Sequence, residues 1–128
     1  DLFSGGQAVI AANNDADATL RALVTFQVDF ALAKPDVIRV QDRDLGSLSD
    51  EDRASVRSLQ RAYVELWVAT LGSLYPEREV SLRRLQAHAV FGLINSTPHS
   101  LQLHGRRLSN ASARPMLEAM AWAALTEA

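Results

Sequence analysis

Residues 49–75 read SDEDRASVRSLQRAYVELWVATLGSLY and form the longest uninterrupted helical pattern in the chain. Ser49 stands three residues before Asp52. This is the spacing of a capping box, in which the serine oxygen takes one free backbone N–H and the carboxylate reaches back to another. Apolar residues then recur at Val56, Leu59, Tyr63, Leu66, Leu71 and Leu74, while Arg53, Arg57, Arg61 and Glu65 fall on the other side of the cylinder. Beyond Ala62 the pattern widens, because Val64, Trp67 and Val68 add a second apolar strip. The first half therefore reads as a surface helix and the second as a buried one, with the rest of the chain packed around it.

Toward the C-terminus, Pro76 closes this helix and EVSLRRLQAHAVFGLINST, residues 79–97, makes another, stopped by Pro98. Ala87, Ala89, Gly92 and Ser96 are interleaved there with Val90, Phe91, Leu93 and Ile94, and small residues at such spacing let another helix approach closely. A polar loop carrying His99, His104, Gly105, Arg106 and Arg107 follows, then a last helix from about Ser112 to Thr126 with Pro115 tolerated in its first turn. That helix presents Met116, Leu117, Met120, Ala121, Ala124 and Leu125. Toward the N-terminus, PDVIRVQDRD from Pro35 reads as a short helix set at an angle, and Leu45 to Leu48 as the loop feeding the central helix. The helix before it is capped by Asn14 and Asp15, runs to about Ala33 and is apolar over most of its circumference. Residues 2–13 have helix-like spacing weakened by Gly5 and Gly6. No segment alternates with a period of two, so the expected fold is all-α, one domain over residues 1–128, with five or six helices.

The totals exclude several classes. At 48% hydrophobic and 22% charged the chain is too apolar for disorder, and 128 residues suffice for one core. A net charge of −2 offers no electrostatic footprint for a phosphate backbone. The lack of cysteine removes disulfides and thiolate metal sites, and fits the cytoplasm. No apolar run reaches the roughly 18 residues of a membrane span, so no membrane partner is expected.

Candidate site residues cluster on three helices. Phe26, Phe30, Tyr63, Trp67 and Phe91 could line a pocket for an apolar ligand or fill the core, and Tyr63 and Trp67 share a face one turn apart. His88, Phe91 and Asn95 form a second line on one helix, where a histidine and an asparagine could orient a ligand. The plainer alternatives are a solvated His88 and an Asn95 bonded to backbone near the helix end. Gln27 and Asp29 interrupt an apolar run and read as solvent-facing or as the rim of a dimer. No pair of histidines has metal-binding helical spacing, and Asp42, Asp44, Asp50, Glu51 and Asp52 lack the order of a calcium loop. No nucleophile elbow or phosphate loop is present, so no catalytic residue, metal or cofactor is assigned.

Three stretches, FQVDFALAKPDVIRV, LQRAYVELWVATL and AHAVFGLINSTP, resemble the C-terminal, effector-binding domain of TetR-type transcriptional regulators. The order and lengths of the helices agree across nearly the whole chain. The resemblance implies the regulatory domain of a bacterial, cytoplasmic transcription factor, in the repressor sense, that binds a small apolar effector. It also implies a homodimer through the last two long helices, and the small residues of the one facing the Ala- and Met-rich other place Ala89, Gly92, Leu93, Ser96, Met116, Met120 and Ala124 at the expected interface. DNA would be bound only through a helix-turn-helix head N-terminal to Asp1. A dimerisation module with a filled core, or a helical enzyme, are the rival expectations.

Overall fold

The computed structural model describes residues 2–33, 48–103 and 109–127, with side chains for all of these except 97–103 and 110. Five helices account for most of them: α1 (Leu2–Ala12), α2 (Ala16–Ala33), α3 (Asp50–Leu74), α4 (Val80–Leu103) and α5 (Asn110–Thr126). Among the described residues there is no strand. The helix expected from Pro35 lies outside the described residues, as do Asp42, Asp44 and His104.

The quoted stretch ends where its caps place it. Ser49 Oγ accepts the backbone N–H of Asp52 at 3.1 Å, and Asp50, Glu51 and Asp52 put negative charge at the positive end of the helix dipole. At the other end the Tyr75 N–H closes on the Leu71 carbonyl at 2.8 Å, and Pro76 follows. α5 starts two residues earlier than the apolar pattern suggests, because Ser109 supplies the cap by accepting the Ser112 N–H at 3.2 Å. Pro98 does not stop α4, which continues to Leu103. A proline inside a helix costs one backbone bond and strains the turn before it. Its bias against a helical predecessor is a preference rather than a ban, and no second breaker occurs before Gly105.

α2, more than α3, is the hub. It packs against each of the other four helices, and Leu20, Leu23, Val28 and Ala31 are fully buried in it. The near-complete apolar circumference seen in its sequence is what such a position requires. Trp67 and Leu71 of α3, Val90 and Ile94 of α4 and Ala121 and Leu125 of α5 complete the core. The first half of α3 stays largely exposed and the half from Tyr63 onward is inside.

Two features have reasons that the apolar pattern does not carry. Gly5 and Gly6 are the contact surface of α1. A β-carbon at Gly5 would run into the Phe26 ring, and one at Gly6 would lie 2.9 Å from Leu66 Cδ1 and 3.0 Å from Tyr63 Cε1. Glycine lowers helix propensity but lets α1 lie close on α2 and α3. Arg78, in the turn between α3 and α4, is buried and stacks over the Tyr75 ring at 3.6 Å. Its guanidinium donates to the carbonyls of Leu125 (2.9 Å) and Thr126 (3.3 Å) and to Gln86 Oε1 (3.0 Å). Gln86 Nε2 adds bonds to the carbonyls of Ala124 and Glu127. One arginine and one glutamine thus satisfy the free carbonyls at the end of α5.

Candidate functional site

Phe26, Tyr63, Trp67 and Phe91 meet at one place. Phe26 from α2 stands edge-on to Tyr63 of α3 with ring centres 6.4 Å apart. Tyr63 stacks on Phe91 of α4 at 5.6 Å, and Phe91 meets Trp67 edge-to-face at 4.9 Å. These separations fall in the range where ring quadrupoles add to simple burial. Phe30, one turn beyond Phe26 on α2, is half-buried. α1 forms the roof over Phe26 and Tyr63 through its two glycines, with Phe3 and Val9 packed against the core.

A polar chain runs through this apolar cluster. The Tyr63 hydroxyl donates to Gln27 Oε1 at 2.6 Å, and Gln27 Nε2 donates to Asn95 Oδ1 at 2.8 Å, joining α3, α2 and α4. Gln27 is only 1% exposed. Its reading as a solvent-facing or rim residue is therefore overturned: the amide is inside because it has a partner on each side. Asn95 likewise bonds a side chain and not the helix backbone. Asp29, the other polar residue of that run, pairs with Arg114 of α5 at 2.7 Å. Burial holds the Tyr63 phenol protonated well above its ordinary range, with the adjacent Trp67 indole acting weakly the other way. The Trp67 Nε1–H itself is buried and has no acceptor at hydrogen-bonding geometry among the described residues.

His88 stands apart. It is exposed, meets Phe91 edge-on at 6.4 Å, and lines an open groove of about 400 Å³ between α3 and α4. A second open groove of about 480 Å³ lies where the α1–α2 junction meets α3, lined by Ile10, Asn13, Thr19, Leu66 and Thr70 among others.

Of the seven residues expected at a dimer contact, five are exposed on α4 and α5. Ala89, Gly92 and Ser96 are exposed on α4, continuous with Leu85 at 63% exposure, and Met116 (62%) and Met120 (47%) are exposed on α5. A β-carbon at Gly92 would touch nothing within 4 Å, so no contact inside the protomer requires its smallness. Leu93 and Ala124 are half-buried against the core. Among the described residues no group of three metal-binding side chains occurs, and no helix is long and apolar enough to cross a membrane.

A family model described as tetracyclin repressor-like, C-terminal domain matches residues 13–121. A comparison with curated proteins finds no match.

Proposed function

Because the chain belongs to the tetracyclin repressor-like C-terminal domain family, whose members are regulatory and not catalytic, we propose that it is the effector-binding and dimerisation half of a bacterial, cytoplasmic repressor. Residues 1–128 would act as one unit, and a helix-turn-helix head N-terminal to them would hold the DNA. The observation that carries the effector reading is the aromatic cluster of Phe26, Tyr63, Trp67 and Phe91, roofed by α1 and threaded by the Tyr63–Gln27–Asn95 chain. Apolar rings with a few fixed polar groups are the composition of a small-molecule site. Phe30 and His88 border it on either side.

α1 is the element that couples the site to the rest. Its two glycines rest on Phe26, Tyr63 and Leu66, so a ligand that moves those side chains moves α1. A repressor releases DNA only if its effector binds the released geometry better than the bound one, and displacement of α1 supplies two geometries to choose between. The second reading is a dimerisation module with a filled core, favoured by the complete burial of Trp67.

A paired measurement on Trp67→Ala separates the two. The substitution should cost about 3–5 kcal/mol of unfolding free energy as a close-packed core residue. On the effector reading, ligands found by thermal shift on the unmodified chain change their affinity in the variant. A ligand present at 100 times its dissociation constant adds about 2.7 kcal/mol, which the thermal shift detects easily. A large stability loss with every ligand's affinity unchanged would favour the filled core.

A further inference from the structure

α3 and α4 are joined by the short turn at residues 75–79 and run back along each other as an antiparallel pair. One rung between them is closed: Arg84 holds Glu65 through its Nε at 2.8 Å and its Nη2 at 2.7 Å. Four residues back on α3 and four forward on α4, the next rung sets Arg61 against His88, and both line the 400 Å³ groove. No carboxylate stands between them. Arg57, one turn further out on α3, lines the same groove and has no ion-pair or hydrogen-bond partner among the described residues. Arg61 has only a long contact, 3.4 Å, to Ser58 Oγ. Three guanidiniums and an imidazole thus face one carboxylate, already engaged, in a chain whose net charge is −2.

The lining is not only basic. Val64 forms part of the groove, and His88 places the groove beside the half-buried edge of Phe91. We propose that this groove is a binding site for an organic carboxylate with an apolar body. The anion would sit between Arg57 and Arg61 on one side and His88 on the other, as the missing member of the open rung, with the body over Val64 toward Phe91. Guanidinium forks match a carboxylate in geometry as well as charge, and Gln60, also in the lining, offers an amide donor. The volume falls within the range of small-molecule sites. The site meets the aromatic cluster only at Phe91 and does not require that cluster to open.

The test is calorimetric titration of the chain with decanoate, with decanamide as the uncharged analogue and inorganic phosphate as the bare anion. Decanoate should bind, and decanamide and phosphate each about tenfold or more weakly, since each lacks one half of the recognition. Arg57→Gln/Arg61→Gln alters two exposed side chains and should weaken decanoate about ten- to a hundredfold while leaving the circular dichroism melt in place. Decanoate binding that survives the double substitution, or phosphate binding as tight as decanoate, would overturn the proposal. So would duplex DNA retarded by the chain and released by the same double substitution.

Discussion

Tyr63 is held by two demands on one side chain: its ring is wedged among Phe26, Trp67 and Phe91, and its hydroxyl must find an acceptor inside the core. Gln27 meets the second demand at 2.6 Å. Tyr63→Phe keeps the ring but leaves Gln27 Oε1 without its donor, so it should lose about 1–2 kcal/mol in urea unfolding at neutral pH. The same phenol makes a pH prediction. Burial raises its folded-state pKa above the unfolded value of 10.0, so the folded chain keeps the proton more tightly. That contribution is intact below about pH 10 and is lost as pH rises beyond it. The phenylalanine variant has no such titration, and the stability gap should narrow when urea midpoints at about pH 8 and pH 11 are compared. A gap that stays constant would mean that Tyr63 ionises as freely folded as unfolded. Little of this was legible in the sequence. The helical spacing placed Tyr63 and Trp67 on one face, but Gln27 read as exposed, because a pattern of apolar positions has no way to register a polar partner 36 or 68 residues away.

Between elements, the contacts that matter are made by residues that look unfavourable locally. Gly5 should lower the helicity of α1, and Gly5→Ala on a bare helix would gain about 0.5–1 kcal/mol. Here the added β-carbon collides with the Phe26 ring, so the substitution should instead destabilise by about 1 kcal/mol through overpacking, read as a lower denaturant midpoint. Arg78→Met removes the cation that gathers the Leu125 and Thr126 carbonyls. A loss of about 3 kcal/mol is expected, with faster amide exchange in the last turn of α5. Helix existence, order and most ends followed from caps and apolar periodicity, as the Ser49 and Tyr75 boundaries of α3 illustrate. Pro98 was misleading because a breaker states a local cost only. The role of α2 as hub was half visible in its apolar circumference, and the clamp at Arg78 not at all, since charge in a turn gives no hint of burial.

At the scale of the whole molecule, α4 and α5 carry several exposed residues that are apolar or small: Leu85, Ala89, Gly92 and Ser96 on one helix and Met116 and Met120 on the other. Two copies related by a two-fold axis would bury the same patch on each, giving a four-helix contact of more than about 1,000 Å². With a net charge of −2, residues 1–128 alone should retard duplex DNA no more than a generic acidic protein does in a low-salt gel shift. Tight, sequence-specific retardation would contradict the division of labour between a regulatory half and a DNA-reading head. The chemistry of the small residues on α4 was readable in advance, whereas which of them face outward needed the fold, as Gly92 and half-buried Leu93 show. Sedimentation at micromolar concentration, for the unmodified chain and for Gly92→Arg, tests whether α4 and α5 form a two-fold contact. The unmodified chain is expected to be a dimer that the arginine variant dissociates while its helices remain folded, because a β-carbon at position 92 meets nothing within 4 Å in its own protomer. A monomeric unmodified chain, or a Gly92→Arg protein that stays fully dimeric, would contradict it.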